Sequence, residues 1–494
     1  MKKSMMVAAA LLVWATGCGS TTTGPGGKVP GAPAGPVDSK GNEVSAAAVN
    51  KFNTALDTMA QHDKAGDWSD ATCTSTAAMF VEAAKEQGDK TFGEALYNAG
   101  LANQRCKKDA EAKAFFKQVL DKDPKFHRAR SQLALYAFAD SGEKNFDQAI
   151  TEMRQAAITD AQFKNVEALV NLGMLYIKRN NQTADNDGPT DLARAKKYIQ
   201  SALAVDDGFM PAFNQLAILY METANQKAGR DAKQKTATNA GKKQKKVDTQ
   251  ALELAALVCS QAIRKNPKYA PIHNTAGMIQ VELANLNSAV GEFNNARTID
   301  PTFYEAQMNY AAVNLAFRGF AQAEEAYRAA LKMRPTDYDA HLGLALALRG
   351  QIDDSNFDKK VAEAAAEIDA AKKAAPDRAE TYYNDAILTQ EYKAKSGGKG
   401  GEGELLNAKG LFGQFVTKAG SAAEFADAVK RSKERMAEID QIIDFNKQSD
   451  AQRKLAEAEA KQKAAEAEAK EGTEGDSGDK SGGDAGDKKD APKP

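Results

Sequence analysis

The sequence is poor in the residues that carry chemistry. Its 494 residues include four histidines, four cysteines and two tryptophans. The histidines are His62, His127, His273 and His341, and none pairs with another histidine or a cysteine at metal-ligand spacing. There is no phosphate-binding glycine loop, no G-x-S-x-G and no H-E-x-x-H. Carboxylates are abundant but spread along helix faces, where a solvated surface accounts for them. The expectation is a protein that is not an enzyme and uses no cofactor or metal. An excess of either charge is missing too. Lys and Arg number 66 against 67 Asp and Glu, a net charge of −1, so bulk electrostatics favours neither nucleic acid nor a membrane surface. The apolar run from Met5 to Ala15 is too short to span a bilayer as a mature helix.

What the sequence does have is a period. "NPKYAP", "DPTFYE" and "RPTDYD" place Pro267, Pro301 and Pro335 at steps of 34 residues. With Ala270 and Tyr304 as position 1 of two repeats, position 8 is Gly277 and Ala311, and position 20 is Ala289 and Ala323. Position 24 is Phe293 and Tyr327, position 27 is Ala296 and Ala330, and position 32 is Pro301 and Pro335. Small residues at 8, 20 and 27 let two helices approach, and the aromatic at 24 fills the gap between them. The proline lacks an N–H and disfavours helix in the residue before it, so it stops the second helix. Such a helix–turn–helix unit cannot bury its apolar face alone and must stack on copies of itself.

This pattern resembles the tetratricopeptide repeat. Residues 270–303 and 304–337 fit without a gap. The spans 93–126, 127–163, 166–209, 210–269 and 338–378 fit with insertions or with Ala161 or Asp207 at the proline slot, and a weaker repeat starts at Ala379. The family tryptophan at position 4 is absent from these last repeats; His273, Gln307, His341 and Tyr382 stand there instead. The resemblance implies an all-α superhelical solenoid acting in protein–protein interaction. In this family the first helix of each repeat lines a concave groove. Position 9 supplies Met174, Ile218, Met278 and Leu346, position 12 supplies Met221, Val281 and Leu315, and position 5 supplies Met308 and Leu342. That methionine-bearing apolar stripe suits an adaptable surface for a partner's amphipathic helix or extended segment. The alternative is that superhelical curvature or the chain's own C-terminal helix covers it. A chaperone-type carboxylate clamp is not expected, because Asn214 and Asn274 at position 5 have no lysine at position 9.

The ends read differently. "MKKSMMVAAALLVWATGCGS" puts small residues directly before Cys18, which resembles the bacterial lipobox and implies cleavage before Cys18 and its lipidation. An ordinary secretory peptide with an incidental cysteine is the alternative. Gly19 follows rather than aspartate, which by the enterobacterial sorting rule implies the periplasmic side of the outer membrane. The expected layout is a signal peptide at 1–17, a glycine- and proline-rich tether at 18–42 and a helical hairpin cap at 43–92. A repeat array of about eight units follows at 93–420, then a capping helix at 421–447 and a charged low-complexity helix with a disordered tail at 448–494. Three inserts interrupt the array: the polar, turn-rich 180–191, the basic 227–248 with eight Lys or Arg, and the flexible 393–404. The basic insert reads as a solvated loop, or as a contact for anionic lipid, peptidoglycan or an acidic partner. With Cys18 lipidated, Cys73, Cys106 and Cys259 remain in an oxidising compartment. Cys73 and Cys106 should fall at the same end of neighbouring helices, so a disulfide is geometrically allowed, with two separate buried thiols as the alternative. Cys259 fills a position-24 core slot.

Lipobox, tether, repeats and Ala/Glu/Lys tail together resemble the tetratricopeptide-repeat lipoproteins of the myxobacterial adventurous gliding-motility (Glt) complex. The implied function is a lipid-anchored envelope scaffold with other envelope proteins as partners and the membrane reached through the lipid anchor. A pilotin-like or outer-membrane assembly lipoprotein for pilus or secretion machinery is the second reading. Cys18→Ser is expected to leave the helical body folded while releasing it from membranes or blocking cleavage. Retained labelling of that variant with radioactive palmitate would overturn the lipobox reading.

Overall fold

The computed structural model describes residues 37–38, 43–88, 92–158, 165–236, 248–396 and 401–471. The signal segment with Cys18, most of the tether, half of the basic insert and the tail beyond Glu471 lie outside the described residues. The chain divides into two compact units, Met1–Met333 and Arg334–Pro494, within the span expected to hold the array over 93–420.

The first unit is a succession of antiparallel hairpins. It opens with α1 (Ala46–Ala65) and α2 (Asp70–Lys85), then α3 (Gly93–Arg105) with α4 (Asp109–Lys122), and α5 (His127–Asp140) with α6 (Phe146–Ile158). Next come α7 (Val166–Arg179) with α8 (Asp191–Val205), and α9 (Met210–Thr236) with α10 (Thr249–Lys265). The unit closes with α11 (Ala270–Glu282) and α12 (Leu286–Ile299), and α13 (Tyr304–Ala316) and α14 (Phe320–Met333). The second unit holds α15 (Tyr338–Arg349), α16 (Phe357–Ala374) and α17 (Ala379–Leu388), which runs into a π turn (Thr389–Lys393) and the one-turn α18 (Ala394–Ser396). It ends with α19 (Gly401–Ala419), a 3-10 turn (Ala423–Phe425) and α20 (Ala426–Glu471). Among the described residues the only β pairing is two isolated bridges. No described helix is long and apolar enough to cross a membrane.

Local chemistry sets the turns. Between the two helices of a repeat the chain needs one residue in the left-handed region, and non-glycine residues take it: Lys107 at φ 58°, Ala284 at 61° and Arg318 at 63°. All three stand at position 15. The next N–H then reaches back five residues, as Lys108 to Asn103 O at 3.1 Å and Asn285 to Gln280 O at 2.8 Å, satisfying carbonyls the helix leaves open. Between repeats, an Asp or Asn side chain accepts the backbone N–H two residues on: Asp123 from Lys125, Asn266 from Lys268, and Asp300 from Thr302. Asp206 does the same for Gly208 at 2.9 Å, which explains how α8 stops although Asp207 replaces the proline.

The repeat core depends on a contact between positions 8 and 24. A Cβ added to Gly277 would sit 2.5 Å from the Phe293 ring, one on Gly100 2.6 Å from Phe116, and one on Gly173 2.6 Å from Ile199. Phe116, Phe293 and Ile199 are fully buried.

Three segments depart from expectation. Insert 180–191 is not merely polar and turn-rich; it wraps the guanidinium of Arg194, which is 1% exposed. Arg194 donates to Asp185 and Asp191 carboxylates and to the Thr183 and Gly188 carbonyls. Asp187 takes Arg154, Lys197 and the Tyr198 hydroxyl, each at 2.6 Å, and these partners hold its carboxyl well below the usual range against the cost of burial. Insert 393–404 is largely helical: Ala394–Ser396 form α18 and α19 starts at Gly401. The expected boundary at 447/448 falls inside α20, one helix of 46 residues. Its first turns bury Ile439 and Ile443 against α19, and residues 444–465 are exposed throughout. Alanine, glutamate and lysine carry the helix on by propensity, with Arg453 pairing Asp450 and Glu457 along its surface. Cys73 of α2 and Cys106, just past α3, are joined as a disulfide with Cα atoms 6.3 Å apart.

Gly277→Leu should force α11 and α12 apart and cost about 1–3 kcal/mol or more. Shortening the opposing ring in Gly277→Leu/Phe293→Leu should recover part of the loss, because the two sites share one volume. Thermal melting of the three proteins checks this; strictly additive losses would mean that the pair does not set the helix spacing.

Candidate partner-binding face

The first helices of successive repeats touch one another. In the first unit α5 touches α7, α7 touches α9, α9 touches α11 and α11 touches α13; in the second, α15 touches α17. We call the side of each unit lined by these touching first helices its inner side, and every groove residue expected from the sequence lies on one of them.

The inner side of the first unit is not uniformly open. Met174, Met221 and Met308 are 0%, 4% and 7% exposed and do not belong to an accessible stripe. Met174 shares a core with Leu135, Val170 and Leu172, because position 9 of α7 faces the helices packed beside it rather than solvent. Met221 packs in the cluster of Leu252 and Ile279. Met308 is a buried residue of α13, which α11 touches. The half-buried remainder is Ile218 on α9, Met278 and Val281 on α11, and Leu315 on α13. In the second unit Leu342 and Leu346 are half-buried on α15.

Polar residues on the inner helices link one repeat to the next. Thr275 Oγ1 donates to Asn214 Oδ1 at 2.7 Å, and Asn309 Nδ2 donates to Asn274 Oδ1 at 2.9 Å, all four side chains buried. Asn214 and Asn274 are therefore engaged within the stack, each with a position-6 residue of the following repeat. Buried amides in such a ladder are costly to leave unmatched, so the ladder fixes helix register.

Position 4 has a second such device. His273 Nε2 meets Pro267 O at 3.0 Å, Gln307 Nε2 meets Pro301 O at 3.2 Å, His341 Nε2 meets Pro335 O at 2.9 Å, and the Tyr382 hydroxyl meets Pro376 O at 3.0 Å. Four different residues thus play one part, each donating to the carbonyl of the proline that ended the preceding helix. The two histidines also meet carboxylates through Nδ1, His273 with Glu292 at 2.7 Å and His341 with Glu367 at 2.6 Å. Donation from both nitrogens of His273 requires the imidazolium. The Glu292 hydrogen bond raises His273 above the ordinary histidine value, against the opposing effect of burial. Cys259 is 2% exposed, and burial pushes its thiol up to about 12, as befits an inert filler. Among the described residues no three His, Cys, Asp or Glu are grouped to hold a metal ion.

Residues 93–126, the hairpin of α3 and α4, match the tetratricopeptide repeat family model. No curated protein matches the chain. Among solved structures the chain is similar to a thermophilic tetratricopeptide-repeat protein of Thermus thermophilus, with 22% identity, 45% of this chain and 99% of that one covered, and a TM-score of 0.35. It is similar to pilF of Pseudomonas aeruginosa, with 17% identity, 50% and 91% covered, and a TM-score of 0.34. It is also similar to YrrB, described as a tetratricopeptide-repeat protein with an unusual peptide-binding site, with 14% identity, 47% and 97% covered, and a TM-score of 0.33. The hairpin stacking and the matched repeat define an all-α fold of tetratricopeptide-repeat type.

The raised value of His273 makes stability depend on pH. Its contribution is full below the unfolded value near 6.5 and is lost as pH rises through the higher folded value. One proton changes stability by at most about 1.4 kcal/mol per pH unit. His273→Gln keeps the donor to Pro267, as Gln307 does to Pro301, but removes the charge. Denaturant midpoints at pH 6 and 8.5 should fall with pH more for wild type than for His273→Gln; equal falls would show that His273 is neutral in the fold.

Proposed function

We propose that the protein is a binding scaffold that performs no chemistry and captures a partner polypeptide on the inner side of its helical stacks. The observation that carries this reading is the apolar tract of Ile218, Met278, Val281 and Leu315, which stays partly accessible on three consecutive inner helices of the first unit. Apolar side chains left accessible on touching helices can be desolvated by a partner, at roughly 25 cal/mol per Å² of apolar surface covered. An amphipathic helix or extended segment suits a tract of that kind. The unbranched thioether of Met278 adapts to different partner side chains.

The scaffold is lipid-anchored in the cell envelope through Cys18, on the periplasmic side of the outer membrane, and its partners are other envelope proteins. This part rests on the lipobox-like segment and the tether after it. Service in a gliding-motility machine rests on the combination of lipobox, tether, repeats and Ala/Glu/Lys tail.

The test is the triple variant Met278→Lys/Val281→Lys/Leu315→Lys. Each lysine can keep its charge in water, so the melting temperature should stay near that of wild type. Partner capture from cross-linked cells should be lost, because an unpaired charge in a desolvated apolar contact is penalised. A variant that melts normally and still retains every wild-type partner would move the binding surface elsewhere. One that melts far below wild type would place the tract in the core.

A further inference from the structure

The inner side of the second unit carries a cation that its surroundings leave unmatched. Arg349 ends α15, at position 12 of its repeat, on a helix that touches α17. Its guanidinium makes one long hydrogen bond, from Nη1 to Asn384 Oδ1 at 3.3 Å. Among the described residues no carboxylate forms an ion pair with it. A guanidinium has five donors in a planar fork, so most of its hydrogen-bonding capacity stays open. Burial nonetheless lowers its proton affinity below the ordinary arginine value, and neighbouring Arg435 adds repulsion. Glu391, the acid that acts on Arg349, is already engaged. Arg435 Nη2 holds its Oε1 at 2.8 Å, and Arg435 Nη1 holds Gln390 Oε1 at 2.8 Å.

The backbone beside this cation is irregular. The π turn Thr389–Lys393 interrupts the end of α17 and reorients the side chains after it. Such turns recur at functional sites. Here the turn presents Gln390 and Glu391 to Arg435 on α20 and sets the Tyr392 ring 6.2 Å from Phe357. Buried Asp385 anchors it, taking Lys372, with Lys393 and Thr389 each at 3.4 Å. A regular α-helix would need no such anchor.

We propose that Arg349, with Asn384 beside it and Arg435 behind, is a carboxylate-binding site on the inner side of the second unit, and that its ligand is an acidic side chain of the partner polypeptide. That the ligand belongs to a polypeptide rests on the scaffold reading above. The guanidinium selects the class, because its planar fork matches the two oxygens of a carboxylate.

The test uses the full chain. A cation kept for a ligand weakens the fold when the ligand is absent. Arg349→Gln in chloride buffer should therefore raise the melting temperature of the second unit's transition, by about 2–4 °C. Sodium acetate replacing chloride at equal ionic strength should raise the wild-type melting temperature and leave Arg349→Gln unmoved. A capped peptide bearing one aspartate should stabilise wild type, and its asparagine twin should not. An Arg349→Gln protein that melts lower, with acetate acting equally on both proteins, would make Arg349 structural and overturn the proposal. Sodium phosphate stabilising more than acetate would overturn the carboxylate assignment in favour of a phosphorylated ligand. The lysine variants of the first unit do not touch this site. Capture lost there, with no acetate effect here, would keep the scaffold reading and remove this one. An acetate effect here with capture intact there would keep this site and move partner binding away from the first unit's apolar tract.

Discussion

Everything in this chain depends on how closely the two helices of a repeat approach. That distance is set where position 8 meets position 24. Gly277 admits the Phe293 ring to a place that a Cβ would occupy, and Gly100 with Phe116 and Gly173 with Ile199 repeat the arrangement. The gain is van der Waals contact on both sides of a large side chain with no void around it. Because the constraint is steric, it tolerates other pairings of similar summed volume, such as Ala134 with Met153 or Ala217 with Cys259, all buried. A hairpin closed this way still leaves an apolar flank, which the next hairpin covers. The stack follows from that local fit, and so does the contact of inner helix with inner helix.

The contact between inner helices then decides which residues a partner can reach. On α7 Met174 joins the core around Leu135 and Leu172. On α11 the same position leaves Met278 half-buried, as are Val281 and Leu315 at position 12 of α11 and α13. The polar ladder explains part of the difference in character. Asn214, Thr275, Asn274 and Asn309 pair across repeats, locking register through groups that would be penalised if one helix slid past another. Register fixed by hydrogen bonds frees the apolar side chains nearby from that duty, so they can remain at the surface.

The repeat period, the hairpin assignment and the core slots were legible in the sequence because each is a local steric demand with a fixed address. The accessible part of the groove was not. Position 9 has the same sequence meaning in α7 and α11, but exposure depends on the neighbouring helices, which no single repeat encodes. Position 4 shows the converse. His273, Gln307, His341 and Tyr382 look unrelated as residue types, yet each donates to a proline carbonyl, a role visible only once the carbonyl's direction is known. The insert at 180–191 left a readable trace, since Asp185, Asp187 and Asp191 stand close before Arg194 and Lys197. Composition registered it as a polar loop because the pairing that orders it needs the turn at Gly188 to bring the charges together.

Arg194 shows what the chain does with a buried cation when structure alone is at stake. Arg194 is surrounded by two carboxylates and two backbone carbonyls, and Arg179 shares Asp191 with it. Those partners come from one short insert and the helix that follows, so satisfying a buried guanidinium lies within reach of a dozen residues. Removing a guanidinium from water without such partners is costly. Arg349 has one amide oxygen at 3.3 Å, while the acid that could have served it is turned toward Arg435 by the π turn. A shift of Glu391 from one arginine to the other would answer the deficit at Arg349 and create the same deficit at Arg435. The two arginines thus share one carboxylate, and an acidic side chain of a partner would supply a second.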